Sequence, residues 1–378
     1  MAHHNTILSQ ITTLFPRHEF ERLAKLHHRG QRFRSCNRWS QFLAMMIAQL
    51  SGRKSLRDLT DNIKAQGCRL YHLGMKKISK AHLGKINEKQ PHELYQNLFS
   101  SLLGRCQRLS PGHRFKFEGK IYLLDTTTIN LCLEVFPWAT FRKTKGAIKL
   151  HTGLDADGYL PAFMDMTEGK THEIQWARSL KLPPGSCVIF DRGFTDYSWY
   201  QKLSDNKIFF VTRLKKNAVF ELLHKRRGRK SAQIKQDQTI LLRNTSSSLR
   251  LICSVDQQTG KEYHFLTNSF DLKAATIAEM YKERWKIELF FKWIKQNLKV
   301  KTFLGTSPNA VLTQLWIALC VYLLLAYLKF RAHLGQSLTQ ILRLLQLNLF
   351  ERRDLIELFK PPNIQEPVSQ QLLLWDKL

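Results

Sequence analysis

The sequence predicts a mixed α/β protein with a helical leading region, and three observations carry that expectation. Residues 5–104 read as successive amphipathic helices. Residues 120–213 alternate short apolar runs with two helical stretches. Helical periodicity then stops between Lys215 and Asn268 and resumes as far as Leu347. With 378 residues, 43% of them hydrophobic, the chain is long enough for two or three domains with real cores.

The leading helices are expected at Thr6–Leu14, Glu19–His27, Arg38–Leu50, Ser55–Ala65, Ser79–Glu88 and Pro91–Leu103. Pro16, Gly30, Gly52, Gly67 and Pro91 break them. Arg29, Arg32, Arg34, Arg38, Arg53 and Lys54 crowd this region. Ser55–Ala65 and Ser79–Glu88 make a candidate helix-turn-helix, with a plain bundle bearing a solvated basic face as the alternative.

Texture changes after Pro111–Arg114. Lys120–Leu124 is strand-like and ends in Asp125. Lys145–Leu154 and Leu160–Thr167 follow, joined by the turn Asp155-Ala156-Asp157-Gly158. A helix at His172–Leu180 leads to the strand Ser186–Phe190, closed by Asp191-Arg192-Gly193. The helix Asp196–Leu203 and the strand Ile208–Arg213 complete the run. Three strands, helix, strand, helix, strand is the order of an RNase H-like core.

The next segment reads as a basic β-rich insertion. It holds Lys225, Arg226, Arg227, Arg229 and Lys230, then alternating runs at Thr239–Arg243, Leu249–Val255 and Tyr263–Thr267. Such a cluster is either a solvated loop or, beside DNA, a phosphate-contacting surface. Leu298–Arg331 and Leu338–Leu347 are expected as further helices and Pro361–Leu378 as a tail. The apolar run Leu315–Leu328 falls short of the roughly 18 residues of a spanning helix and reads as a buried core helix. The resulting division is 1–110 helical, 115–214 core, 215–270 insertion, 271–348 helical second part of the core, and 349–378 tail.

Charge narrows the partners. Lys and Arg number 59 against 30 Asp and Glu, a formal +29, which points first to nucleic acid and second to an anionic membrane surface. The cations are dispersed and gather beside no apolar anchor, so a membrane partner is not expected. The seven cysteines form no CxxC pair, and His27 and His28 have no partners at zinc spacing. That argues against a disulfide framework and a zinc site, and fits a reducing compartment. The N-terminus, with His3 and His4, has no apolar segment of the signal-peptide kind.

Around Glu288, Tyr281, Arg284, Lys292 and Lys295 stand at −7, −4, +4 and +7. Helical geometry places all five within roughly 40° of one face. Trp285, Leu289 and Trp293 flank the stripe on one side, and Ile287, Phe291 and Ile294 on the other. Apolar walls on both sides are expected, with Trp285 and Trp293 in the core.

Three carboxylates then share a chemistry. Asp125 and Asp191 each close an apolar strand, where a ligand can reach them, and a helix packed on that edge can bring Glu288 alongside. Clustered acids without His or Cys favour Mg²⁺ or Mn²⁺. Two such ions would suit phosphodiester chemistry. Each acid alone has a plainer reading: Asp125 as a turn cap through Thr127, Asp191 as a partner of Arg192, Glu288 as a partner of Arg284 or Lys292. His151 and Lys149 read either as core polar residues or as neighbours of the site.

Tyr281-x2-Arg284-x3-Glu288-x6-Lys295 resembles the YREK signature of the DDE transposases of insertion sequence family 4. Asp125 in LLDTTT and Asp191 in VIFDRGF resemble that family's two aspartate motifs, and Ser79–Lys89 resembles its amino-terminal DNA-binding region. The resemblance covers most of residues 1–330. It implies that Asp125, Asp191 and Glu288 bind two Mg²⁺ or Mn²⁺ ions for nicking at transposon ends and strand transfer into target DNA. Tyr281, Arg284 and Lys295 would then contact the backbone of the transposon end, with Lys292 a further basic position. It also implies double-stranded terminal inverted repeats as partner, a homodimeric synaptic complex, and a bacterial cytoplasmic, nucleoid-associated setting. Relatives form a hairpin at the cut end and flip a base onto an insertion aromatic. Here Lys215–Asn268 has no Trp and offers Phe220, Tyr263 and Phe265. Two other readings stay open: a metal-dependent nuclease or resolvase on the same core, and a domesticated DNA-binding regulator without catalysis.

Overall fold

In the computed structural model, the described residues are 5–30, 36–142, 145–226, 233–243, 245–300 and 302–360. The leading region folds as α1 (Ile7–Thr12), α2 (Arg17–Leu26), α3 (Arg38–Leu50), α4 (Leu56–Ala65), α5 (Gly67–Leu70), α6 (Lys80–Lys89) and α7 (Glu93–Gln107). Thr6, Asn37, Ser55 and Ser79 each accept a hydrogen bond from the backbone N–H three residues on, which caps α1, α3, α4 and α6. Gln66–Ser79, with α5 and a 3₁₀ turn at Tyr71–Leu73, separates α4 from α6. That spacing is longer than the tight turn of a helix-turn-helix.

The whole of α3 is buried, and this removes Arg38 from the basic surface. Its guanidinium donates to the Pro91 carbonyl at 2.6 Å and lies over the Tyr95 ring. Arg53 pairs with Asp58 at 3.1 Å. Arg32 and Arg34 lie outside the described residues.

The sheet is built on β1 (Ile121–Leu131), β2 (Thr140–Arg142), β3 (Lys145–Asp155), β4 (Leu160–Glu168), β5 (Cys187–Phe190) and β6 (Phe209–Arg213). Helices α8 (Glu173–Ser179) and α9 (Tyr197–Asp205) flank β5 in the chain. β1 pairs antiparallel with β3, which carries β4, and parallel with β5, which pairs parallel with β6. The spatial order β4–β3–β1–β5–β6 is the RNase H-like arrangement the sequence predicts. Asp125, however, does not end its strand. The long antiparallel partner β3 keeps β1 paired as far as Leu131, while the parallel pairing with β5 stops at Leu124↔Phe190.

The insertion supplies β7 (Phe220–Lys225), β8 (Ile234–Leu242), β9 (Ser248–Val255) and β10 (Glu262–Thr267). β10 pairs antiparallel with β6, so these strands prolong the same sheet in the order β6–β10–β9–β8–β7. Sequence reading missed β7, an edge strand exposed along its whole length and so without alternation. It missed β2 too, which has only three residues. Arg250, buried in β9, grips Asp237 through two hydrogen bonds of 2.8 and 2.7 Å, and donates to the Leu272 carbonyl at 2.6 Å. That pair ties the insertion to the loop before the last helices.

Those helices are α10 (Ala274–Glu283), α11 (Trp285–Asn297), α12 (Pro308–Arg331) and α13 (Leu338–Asn348). α12 starts ten residues later than expected at Leu298, behind the Ser307 cap, because Pro308 fits a first helical turn and not a helix interior. The Gln314 amide holds the preceding extended segment through the Leu304 N–H at 2.9 Å and the Thr302 carbonyl at 2.9 Å. By length and composition α12 passes as a membrane span, but 89% of its apolar window is buried against the protein. It packs on α3, α6 and α7, as the core helix the sequence predicts. One hydrophobic cluster runs from Ile7 to Phe359 and covers one face of the sheet. A smaller one, with Trp176, Trp199 and Phe210, covers the other.

Candidate active site

Strand parity decides where the aspartates point. Ile121 and Leu123 of β1, and Cys187 and Ile189 of β5, belong to the larger cluster, whereas Tyr122, Leu124, Val188 and Phe190 belong to the smaller one. Asp125 and Asp191 continue the first set, so both emerge on the face that α11 covers. Each directly follows the last pair of the parallel register, Leu124↔Phe190, and the charge of Asp191 acts on Asp125. Ile287, Phe290, Phe291 and Ile294 press α11 onto that face, which brings Glu288, in its first turn, to the same edge.

Backbone groups fix the two aspartates. Asp125 Oδ1 accepts from the Thr126 N–H at 2.8 Å, and Asp191 Oδ1 accepts from the Gly193 N–H at 2.7 Å. Burial pushes the Asp125 carboxyl up to about 7; the Thr126 N–H and Arg284 oppose the shift, and the negative charges of Asp191 and Glu288 add to it.

Arg284 lies among these acids. Its guanidinium is 3.5 Å from Asp125 Oδ2 and donates to Glu288 Oε1 at 2.5 Å. Its Nε is buried without a partner. Arg284 stands at the joint between α10 and α11, where its N–H bonds to the Tyr281 carbonyl and its carbonyl accepts from the Ile287 N–H, three residues away in each direction. Buried Glu283 anchors that joint, accepting from Arg114 at 2.7 Å and from the Tyr159 hydroxyl at 2.6 Å. Sequence reading passed over Glu283, whose partners are 169 and 124 residues away.

The rest of the stripe divides. Lys295 donates to Thr127 Oγ1 at 2.6 Å and so reaches β1, while Lys292 is exposed. Tyr281 turns toward the insertion, its ring 5.0 Å from that of Phe265. Trp285 corrects an expectation: it is 58% exposed and not core, and Leu289 is 42% exposed. On the helix these two lie on the side of the stripe away from Ile287, Phe291 and Ile294, so one wall is core and the other faces solvent. Trp293 is half-buried, its indole N–H donating to Thr339 Oγ1 at 2.9 Å.

A cavity of about 320 Å³ opens beside Arg284. It is lined by Arg213, Tyr263, Phe265, Tyr281 and Trp285. Arg213 sits over the Tyr263 ring at 4.9 Å. Phe220 lies far off on the edge strand β7.

Of the insertion's basic cluster, the described Lys225 and Arg226 lie away from the acids. β7 is separated from β6 by β10, β9 and β8. Lys225 is exposed on β7, whereas Arg226 donates to the Phe270 carbonyl at 2.8 Å and lies 3.7 Å from Asp237. Arg227, Arg229 and Lys230 lie outside the described residues, as does the tail at 361–378. His151 is a satisfied core residue on the opposite face, bonded to Thr126 Oγ1 and Thr167 Oγ1 at 2.8 Å each and stacked on Trp176. Burial, with the charge of Lys149, holds its pKa down at about 4, so it stays neutral. Strand pairing also sets Cys253 opposite His264, with Glu262 alongside, a grouping that sequence spacing hides; Glu262 there pairs with Lys235.

The grouped donors Asp125, Asp191 and Glu288 fit a hard divalent cation. They are carboxylate oxygens, and a guanidinium already occupies part of their field as a stand-in cation. Thr152, fully buried and opposite Asp125 on β3, adds a hydroxyl without a partner.

This fold, with acids grouped where the parallel pairing of β1 and β5 stops, is of the RNase H-like class. The family described as Transposase DDE domain matches residues 116–324, and the chain belongs to the DDE transposases. A second family, Domain of unknown function (DUF4372), matches residues 3–76. A protein of Sinorhizobium fredii named as a transposase is 32% identical over 294 residues, covering 75% of this chain and 80% of that protein. One from Geobacillus stearothermophilus, named for insertion sequence element IS5377, is 28% identical and covers 68% of each chain. One from Synechocystis, named for element IS4SA, is 24% identical over 71% of this chain and 77% of its own. Those names agree with the resemblance to insertion sequence family 4. The protein is a DNA transposase by family, and the family implies use of a divalent metal.

Proposed function

We propose that Asp125, Asp191 and Glu288 form the active site with which this transposase cuts the ends of its insertion sequence and joins them to target DNA. The observation that carries the proposal is the grouping of acids from β1, α11 and the end of β5 in a chain of the DDE family: Arg284 bridges Asp125 and Glu288, and the charges of Asp191 and Glu288 both act on the Asp125 carboxyl. Two Mg²⁺ or Mn²⁺ ions held by the three carboxylates would supply Lewis acidity and a more acidic attacking water or 3′-hydroxyl.

The chain's own residues orient the reaction. The Thr126 and Gly193 N–H groups fix one oxygen of each aspartate, so the acids keep their places as charge changes around them. Arg284 and Lys295, seated at Asp125 and Thr127, present positive charge to the phosphate of the transposon end. Lys292 adds an exposed cation one turn along α11, and Tyr281 shapes the wall toward the insertion. The cavity between Tyr263, Tyr281 and Trp285 accommodates an unstacked base of that end. Residues 1–110 and 215–270, the latter with Lys225 on its edge strand, grip the inverted repeats. Two copies of the chain assemble the paired ends in the bacterial cytoplasm, at the nucleoid.

The test uses purified protein, Mg²⁺ and a duplex carrying the inverted repeat from the flank of the gene. Asp125→Asn, Asp191→Asn and Glu288→Gln are each expected to lower cleavage and strand transfer at least about 10³-fold. Gel-shift affinity for the same duplex should stay within a few-fold. Cleavage that survives any one substitution removes that residue from the site.

A further inference from the structure

We propose that Glu173 is a fourth oxygen donor of the metal site, beside Asp191 and on the side opposite Glu288. The inference rests on the reading of Asp125, Asp191 and Glu288 given above, and it assigns a residue outside that set.

Glu173 opens α8, whose Trp176 and Ala177 pack in the smaller hydrophobic cluster, on the opposite face of the sheet from α11. Its carboxylate comes round the end of β5 to the Asp191 turn. The geometry at Gly193 locates it: a Cβ at that position would stand 2.9 Å from Asp191 Oδ1 and 3.1 Å from Glu173 Oε2. The two carboxylates therefore converge on one point, and only a residue without a side chain leaves that point open. Two carboxylates brought this close repel each other unless a cation lies near both. The described cation on the Glu173 side is Lys149, whose Nζ stands 3.7 Å from Glu173 Oε1 and donates to the Thr171 carbonyl at 2.9 Å. It is a loose partner, already held by the backbone.

The arrangement is then a bracket. Asp125 and Asp191 occupy the middle, Glu288 approaches from the α11 layer and Glu173 from the α8 layer. Buried Thr152, whose hydroxyl has no protein partner beside Asp125, independently marks the middle as a ligand position. A site with one glutamate on each flank suits two cations, one shared by Asp125 with Glu288 and one by Asp191 with Glu173.

The experiment is Mn²⁺ binding to the full chain without DNA, followed by calorimetry and by Mn²⁺ paramagnetic resonance. Glu173→Gln is expected to lower affinity at one of two sites by about tenfold or more. Glu173→Asp, which keeps the charge on a shorter arm, should fall between it and the native chain. Lys149→Met should leave affinity unchanged or raise it. The proposal is overturned if Glu173→Gln binds Mn²⁺ as the native chain does while Asp191→Asn does not, or if Lys149→Met reproduces the loss, which would make Glu173 a mere ion-pair partner. Native binding by Asp191→Asn as well would instead overturn the site reading itself.

Discussion

Arg284 and Asp125 are 159 residues apart in the chain, yet the guanidinium lies 3.5 Å from the carboxylate and bonds to Glu288 on its other side. A positive group thus occupies the field where the acids would hold metal. Spacing on a helix shows the Glu288 contact; only the packing of α11 on β1 shows the one to Asp125.

Removing that positive charge should have opposite effects on two ligands. In Arg284→Gln, Mn²⁺ affinity without DNA should rise several-fold, because a competing cation is gone. Affinity for the inverted-repeat duplex should fall, and the slope of its log dependence on salt should shrink by about one. Calorimetry and salt-titrated gel shifts read the two effects; a parallel loss of both would mean that Arg284 mainly holds the fold.

Asp125 sets a pH dependence. Its pKa is raised to about 7 in the folded chain, so between the ordinary carboxylate range and pH 7 the folded state binds more protons than the unfolded one. Stability of the metal-free protein should therefore fall as pH rises through that window. Metal must displace this proton, so Mn²⁺ affinity should weaken as pH drops below about 7, by up to tenfold per unit. Thermal unfolding and Mn²⁺ titrations from pH 5 to 8 check both signs, and Asp125→Asn should flatten both profiles.

Trp285 is exposed, so Trp285→Ala should change stability by no more than about 0.5 kcal/mol. If an unstacked base occupies the neighbouring cavity, that variant should weaken binding of a pre-cut end by about 1–3 kcal/mol. An intact internal duplex should be bound as before. A fluorescent base analogue at the end nucleotide reports stacking directly.

Adjacent basic residues of the insertion should behave differently. Arg226 is tied to Phe270 and Asp237, so Arg226→Ala should cost about 1–2 kcal/mol of stability and leave the salt slope of DNA binding alone. Lys225 is exposed on the edge strand, so Lys225→Ala should spare stability and lower the slope.

The sequence by itself determined most of the order of elements and singled out the three acids as candidates. Short apolar runs on β3 to β6, the amphipathic periodicity of the leading helices, and the helical spacing around Glu288 are local properties, and local chemistry is what a sequence displays. It also read the apolar run Leu315–Leu328 as core because the run is short, although α12 as a whole is long enough to cross a membrane and only its burial makes it a core helix. Tertiary structure decided the rest. Whether Trp285 is buried depends on which flank of α11 meets the sheet, and periodicity gives a face without saying what covers it. Arg38 and Arg226 look like any surface arginine until α3 is enclosed and Phe270 arrives. Glu173 and Asp191 meet because α8 crosses the sheet end, and Thr152 faces the acids because β3 pairs with β1 in one register. Contacts between distant residues are set by packing and register, and these belong to the assembled sheet and not to any one segment of the chain.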